Sequence, residues 1–265
     1  MGKINNAIFE LHEIDEMAAR KIRINRIHPL AKLMVTFLYI VCVLSYDKYN
    51  LSGLLPMAIY PLVLFNLSEL SIGRCFKKLR LLLPLVCFIG LFNPIYDKTP
   101  LYHLGSLTIT GGMISLITLV VKGIYALTAS FLLIATTGIE RICYALKLLH
   151  VPQILVTQIL LTYRYLTLLL SEANAVYQAY SLRAPKEKGV RYKIWGSLIG
   201  QLLLRSIDRA GNLYDSMLLR GFCGEFYYAD KQRSNGMDYS YLVLWIVIIT
   251  LLRAFNIADY ISALV

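Results

Sequence analysis

Long runs of apolar residues, separated by short polar or basic segments, make up most of the chain. A helix needs roughly 20 residues to cross the hydrocarbon core of a bilayer, and five runs are near or slightly below that length. They cover residues 30–46, 51–67, 79–92, 111–137 and 241–255. The third run is the shortest and contains Pro84, which predicts a tilt or a break. The pattern therefore predicts an all-α fold, a polytopic membrane helical bundle of about five spans.

Basic residues cluster at particular ends of these runs and predict their orientation. The loops 47–50 and 93–110 carry one lysine each. The segments around the starts of the first and third runs are far more basic. Arg20, Lys21, Arg23 and Arg26 precede the first run, and Arg74, Lys77, Lys78 and Arg80 precede the third run or lie at its start. Lysine and arginine are enriched in cytoplasmic loops, so we expect a cytoplasmic N-terminus. Residues 138–238 are then cytoplasmic, and the fifth span leaves the C-terminus outside.

Residues 138–238 show a different pattern, in which apolar positions recur at helical spacing among polar ones. Three helices are predicted there, over residues 139–149, 152–183 and 192–220. Pro152 suits the first turn of the second helix, Pro185 follows its end, and Gly221 can form a left-handed cap on the third. The chain is therefore divided into residues 1–137 with the first four spans, a cytoplasmic module of long amphipathic helices at 138–238, and a final span at 239–265.

One segment of this module admits two interpretations. Residues 151–170 are apolar enough to span a membrane, but Gln153, Gln158 and Arg164 interrupt the run. An arginine at mid-membrane depth costs roughly 2.5–3.5 kcal/mol on insertion scales. We favour an amphipathic helix on or near the cytoplasmic face, and a further span is the alternative.

A short sequence occurs twice, each time in the last turns of a long helix of this module. Residues 177–184 read YQAYSLRA and residues 214–221 read YDSMLLRG. The matched residues are Tyr177, Leu182, Arg183 and Ala184 in the first copy and Tyr214, Leu219, Arg220 and Gly221 in the second. Cations are favoured at helix C-termini on electrostatic grounds alone, but that leaves the matched tyrosine and leucine unexplained. An aromatic and an aliphatic residue beside an arginine are typical of an interface anchor, and two equal anchors predict a partner with two equal sites.

Composition supports an integral membrane protein and argues against several other classes. Apolar residues make up 57% of the 265 residues, 16% are charged, and the mean hydropathy is +0.59. The net charge of +11 is concentrated at the ends of apolar runs, which argues against nucleic-acid binding. The five cysteines have no CxxC spacing and indicate no disulfide framework. The acidic N-terminal segment is unlike a cleavable signal peptide.

The sequence offers little catalytic or metal-binding chemistry. It contains no GxxxxGK[ST] phosphate-binding loop, so we expect ATP not to bind this chain. His12-Glu13 is followed by Glu16 where a zinc peptidase helix needs its second histidine, and the other histidines are scattered. Lys122, inside the fourth span, either marks an ion path, or it snorkels or faces the bundle interior. A self-contained carrier or membrane enzyme would need ionisable residues converging at mid-membrane depth, which the pattern does not show.

With these motifs in place, the chain resembles the transmembrane T component of energy-coupling factor importers, of the cobalt-transport type. The resemblance covers nearly the whole chain. It is carried by Leu182-Arg183-Ala184 and Leu219-Arg220-Gly221-Phe222, by the stretches LHVP at 149–152 and LTYRY at 161–165, by Thr136-Thr137, and by Glu172. The first motif has Leu182 where the family usually has alanine, and Ala184 where it usually has glycine. The second difference changes the expected geometry of the helix cap.

The resemblance implies a role without catalysis in this chain. It implies a multi-pass protein of a prokaryotic plasma membrane whose partners are two cytoplasmic ATPase subunits and a separate membrane substrate-binding component. ATP and Mg²⁺ are expected on the ATPases, and no cofactor or metal site on this chain. Residues 182–184 and 219–221 are expected to couple to the ATPases, supported by Tyr177, Tyr214 and Phe222. Cobalt is the expected substrate, with nickel or a vitamin as alternatives.

Overall fold

The structure is a computed structural model that describes residues 2–20, 22, 24–70, 72–96, 100–104, 107–185, 189–224 and 236–254. Within these ranges the α-helices are α1 (Gly2–Ala19), α2 (Pro29–Leu44), α3 (Ile59–Ser68), α4 (Ile72–Gly90), α5 (Asn93–Tyr96), α6 (Gly111–Thr137), α7 (Ile139–Leu148), α8 (Gln153–Arg183), α9 (Tyr192–Leu219) and α10 (Gly236–Ala254). Short 3-10 helices cover Ile24–Arg26 and Ser52–Ala58, and strands β1 (Pro100–Leu104) and β2 (Leu107–Thr110) form an antiparallel hairpin. The all-α membrane fold class is confirmed.

The chain divides into two compact units. The bundle unit comprises Ala18–Thr137 and Gln232–Val265, and the motif unit comprises Met1–Met17 and Gly138–Lys231. The prediction that residues 138–238 are cytoplasmic concerns a membrane that the structure does not contain, and it stays a prediction.

Three helices in the described ranges are long and apolar enough to cross a membrane, namely α6, α8 and α10. Two shorter apolar segments, Pro29–Leu44 and Ser52–Ser68, belong to the first two predicted spans. The second of these starts as a 3-10 helix around Pro56 before continuing as α3. The third predicted span largely coincides with α4, which begins earlier than expected, at Ile72, and ends at Gly90, two residues before the predicted end. Because α8 is long and apolar enough to cross a membrane, both interpretations of residues 151–170 stay open.

The core of the bundle unit is built on one face of α2. Val35, Tyr39 and Val43 recur every four residues and are fully buried, as helical periodicity requires for a single face. Tyr60 packs against the Tyr39 ring at a centroid distance of 4.4 Å and against Trp245 of α10 at 4.8 Å. The Tyr39 hydroxyl donates to the Met57 carbonyl at 3.0 Å, so the buried phenol has a partner.

Polar contacts at the start of α2 tie it to distant parts of the bundle unit. His28 is the N-cap residue, and its Nδ1 accepts a bond from the Leu30 amide at 3.3 Å. The His28 amide in turn donates to Oδ1 of Asp238, in the first turn of α10, at 2.8 Å. One turn further on, the buried Lys32 donates to the Thr136 carbonyl at the end of α6 at 3.0 Å. A cation at a helix C-terminus and a carboxylate at an N-terminus both match the helix dipole.

Two cations hold the opposite end of α2. The Lys122 ammonium of α6 is buried and donates to the carbonyls of Leu44 and Tyr46. Arg253 of α10 donates to the Ser45 carbonyl at 3.1 Å and stacks 4.1 Å from the Tyr46 ring centroid. The last carbonyls of a helix have no intrahelical donors, so these side chains satisfy them. Lys122 thus faces the interior of the bundle unit, as one of its predicted interpretations has it.

The motif unit has a small core at the start of α8. Cys143 of α7 and Val156 and Leu160 of α8 are buried together. Burial raises the pKa of the Cys143 thiol, and the nearby Glu140 carboxylate adds to the shift, so this cysteine is a neutral packing residue. Helix α1, which the sequence pattern had not predicted, belongs largely to this unit, where the Tyr163 hydroxyl of α8 donates to Asp15 at 2.6 Å.

Candidate functional site

The first motif ends α8 without a left-handed residue. Arg183 is the last helical residue, and Leu182 beside it is 82% exposed. The Ala184 amide donates to the Tyr180 carbonyl at 3.0 Å and continues the helical hydrogen bonding by one residue. Ala184 itself has φ −129° and ψ 62°, which is neither helical nor left-handed, so the helix ends there.

The second motif ends α9 in a Schellman cap. The Gly221 amide donates to the Leu218 carbonyl at 2.9 Å, and the Phe222 amide donates to the Met217 carbonyl at 3.0 Å. Gly221 has φ +80°, in the left-handed region that the cap requires and that a residue without Cβ adopts without strain. The Gly221 cap predicted from the sequence is thus present, with α9 ending one residue earlier than expected.

Both motifs present their leucine and arginine to the outside of the unit. Leu219 is 90% exposed, and Arg183 and Arg220 are also exposed. Neither guanidinium makes an ion pair or hydrogen bond with any residue that the structure describes. An exposed leucine next to an arginine is typical of a docking anchor, because the guanidinium can bind a carboxylate or a helix end. The roles of Leu182, Arg183, Ala184, Leu219, Arg220 and Gly221 stay predictions.

The supporting aromatic residues line two cavities between α8 and α9. Tyr214 and Phe222 line a cavity of about 360 Å³, and Tyr177 lines one of about 120 Å³. Phe222 shares the larger cavity with Met217, the hydrophobic pair that accompanies a Schellman cap. The cap of α9 therefore also places an aromatic ring against the helix pair.

The sequence analysis missed an ion pair between the two motif-bearing helices. An oxygen of the Glu172 carboxylate, Oε1, accepts from Nη2 of Arg209 beside the larger cavity. Glu172 had been noted only as part of a family resemblance, and Arg209 not at all. The two residues are 37 positions apart, which is also the offset between the two motifs, and that spacing is the signal that could have found them.

The described residues offer little metal-binding chemistry. No group of three or more His, Cys, Asp or Glu side chains lies close enough to hold an ion in the described ranges. His12 bonds the Ile8 carbonyl within its own helix at 3.0 Å, and His28 caps α2. The side chain of His103 lies outside the described residues.

These features define a multi-pass helical membrane protein, with two matched arginine motifs at exposed helix ends. Residues 21–228 match the CbiQ family, described as cobalt transport protein, and the chain belongs to that family. The family resemblance stated from the motifs is confirmed at this level.

Three curated relatives are similar to the chain. The nickel permease LarQ of Lactiplantibacillus plantarum is 30% identical over 118 residues, 43% of each chain. The cobalt transport protein CbiQ of Salmonella typhimurium is 30% identical over 109 residues, 40% of this chain and 48% of that protein. An uncharacterized protein of Methanocaldococcus jannaschii, MJ1571, is 25% identical over 232 residues, 81% of this chain and 80% of that protein. The chain thus matches less than half the length of the two relatives whose names state a substrate.

Proposed function

We propose that this protein is the coupling component of an ATP-driven importer for a divalent transition metal, cobalt or nickel. It transmits motion from two cytoplasmic ATPases to a separate membrane protein that binds the substrate. ATP and Mg²⁺ are held by those ATPases. The observation that carries the proposal is the pair of matched leucine–arginine ends of α8 and α9, both exposed, in a protein of a transport family.

Cobalt and nickel enter the proposal through the relatives. One similar protein is named a cobalt transport protein and another a nickel permease. The two ions have the same charge and similar ligand preferences, so a shared coupling component can serve either when a separate protein selects the ion. A vitamin importer is the alternative substrate class. A self-contained carrier is the alternative mechanism, and it would transport without ATPases.

The decisive experiment is to co-express the chain with the ATPases and the substrate-binding protein, and to measure ATPase retention and uptake of radioactive cobalt. Removing one partner of a buried charge pair costs about 2–5 kcal/mol, so Arg220→Glu should weaken ATPase retention strongly. The double variant with Arg183→Glu should abolish retention and uptake together. Arg205→Glu, an exposed position on α9 outside the motif, is the matched control and should retain both.

Competition and subunit omission separate the alternatives. Excess nickel should compete with cobalt, and a vitamin should not. Leaving out the ATPases should stop uptake, whereas a self-contained carrier would continue to transport. Full ATPase retention and uptake in the Arg183→Glu, Arg220→Glu double variant would contradict the proposed coupling role.

A further inference from the structure

The ion pair between Glu172 and Arg209 joins the two motif-bearing helices near the middle of the helix pair. Oε1 of Glu172 contacts Nη2 of Arg209, and the side chains are 18% and 38% exposed respectively. The second oxygen, Oε2, is buried and accepts no hydrogen bond from the residues that the structure describes. Glu172 therefore depends on Arg209 for its charge partner, and a half-buried charge without a partner is unfavourable.

The pair occupies a special place in the internal duplication. An offset of 37 residues carries Arg183 onto Arg220, and the same offset carries Glu172 onto Arg209. In two units related by a two-fold axis, equivalent positions can touch each other only at the axis. The ion pair therefore marks a pseudo-two-fold axis between α8 and α9, and each motif arginine lies eleven residues beyond it along its own helix.

The two cavities beside the pair obey the same symmetry. The larger is lined by the first half of α8 and the second half of α9, and the smaller by the second half of α8 and the first half of α9. Equivalent residues recur in the two linings, with Leu161 matched by Leu198, Ala210 by Ala173, and Tyr214 by Tyr177. The helices thus run past each other in opposite directions, with one cavity on each side of the ion pair.

Apolar packing between α8 and α9 is incomplete. Helix α9 has no buried residue along Tyr192–Leu219, and the buried residues of α8 are Val156 and Leu160, in its first turns. The charge pair is directional and lies at the axis, so it defines where the helices cross. The apolar contacts on either side of it are partly buried and enclose cavities, which leaves the helices room to turn about the pair.

We propose that Glu172 and Arg209 form a pin that sets the crossing of α8 and α9 and thereby positions the two arginine motifs. This proposal rests on the proposed coupling function. At 1.5 Å per residue, each arm from the pin to its arginine is about 16 Å long. A turn of about 10° at the pin moves each tip by about 3 Å, so equal arms deliver equal movements. Glu172 and Arg209 are positioning residues, because they act through the motifs.

The test measures the geometry of the helix pair directly in the full-length protein. Spin labels are placed at Ala179 and Ser216, two exposed positions related by the same 37-residue offset, after replacing the exposed Cys87 and Cys223 with serine. The labelled protein should give one narrow distance distribution by electron paramagnetic resonance. Glu172→Arg or Arg209→Glu alone should broaden it at least about twofold, because each places like charges at the crossing. The exchange of both residues should restore the narrow distribution.

The control and the assembled transporter make the result specific. Asp208→Arg, an exposed charge reversal beside the pin on α9, should leave the distribution unchanged. In the complex, the single variants should keep the ATPases bound and hydrolysing but lower cobalt uptake per ATP, and the exchange should recover it. A loss of packing alone would not be rescued by exchanging the charges.

The outcomes separate this proposal from the proposed function. Unchanged distributions in both single variants overturn the pin, whether or not the ATPases bind. An exchange variant that stays broad or unfolded also overturns it, even where the single variants fail to fold. If the unaltered chain binds no ATPase, the coupling function fails, while the distance measurements on the chain alone still decide the pin.

Discussion

Helices α2 and α9 are both apolar at regular intervals, but they bury very different fractions of their residues. In α2 the buried residues include Val35, Tyr39 and Val43, which form the centre of the bundle unit. Helix α9 buries no residue, and leucines such as Leu203 and Leu219 are 57% and 90% exposed. The same kind of periodicity thus serves stability in one helix and leaves a free surface in the other. We expect substitutions in the bundle unit to change stability, and substitutions on α9 to change partner binding.

The largest expected loss of stability comes from truncating a buried side chain in the core of the bundle unit. Leu132→Ala on α6 removes a side chain that is fully buried and should lower the free energy of unfolding by about 2–5 kcal/mol. Leu203→Ala on α9 is the matched control and should change it by less than about 0.5 kcal/mol. Denaturant unfolding of the purified protein in detergent measures both. Equal losses would contradict the contrast between the bundle unit and α9.

A smaller loss is expected when the end of α2 loses one of its cations. Lys122→Met keeps most of the side-chain volume but removes the donor to the Leu44 and Tyr46 carbonyls. Leaving buried acceptors without this donor should lower the unfolding free energy by about 1–3 kcal/mol. Lys193→Met, at an exposed position of α9, should have little effect on the same unfolding curve. If Lys122 served only an ion path, the Lys122→Met and Lys193→Met proteins would have similar free energies of unfolding.

The smallest expected effect concerns the difference between the two helix ends of the motif unit, those of α8 and α9. Gly221→Ala meets no neighbouring atom, so its effect is the strain of φ +80°, about 1–2 kcal/mol. Amide hydrogen exchange at Gly221 and Phe222 should accelerate about 5- to 30-fold as the cap opens. Ala184→Gly is the counterpart on α8, where φ is already negative, and it should leave the cap amides of α9 unchanged. Equal exchange in the unaltered and Gly221→Ala proteins would mean that the cap is not held by its left-handed residue.

Helix positions followed well from local signals in the sequence. Pro152, Pro185 and Gly221 bound α8 and α9 because proline and glycine act on their immediate backbone. The run at 111–137 became α6 without change, since a long uninterrupted apolar stretch has few alternatives. Helix α1 was missed because its acidic and apolar residues were assessed only as a possible signal peptide. The hairpin of β1 and β2 lies in a loop for which no strand pattern had been identified.

Contacts between distant residues could not be predicted in the same way. The spacing of 37 residues connects Glu172 to Arg209 only once the duplication is known to be a two-fold arrangement. The bonds from Lys32 to the Thr136 carbonyl and from Lys122 to the end of α2 depend on which helices pack together, which no local pattern states. The motif residues themselves were identifiable because their identities repeat, whereas the contacts of Lys122 depend on packing alone.

The bond between the His28 amide and Asp238 has a consequence for synthesis. The two residues are 210 positions apart, so Asp238, the acceptor in α10, emerges long after the His28 amide at the start of α2. At roughly 5–20 residues per second, the ribosome needs about 10–40 s to reach it. During that interval α2, α3 and α6 can be inserted, but α2 lacks the Asp238 carboxylate and Tyr60 of α3 lacks its ring contact with Trp245. We therefore expect the bundle to close only after α10 has been made.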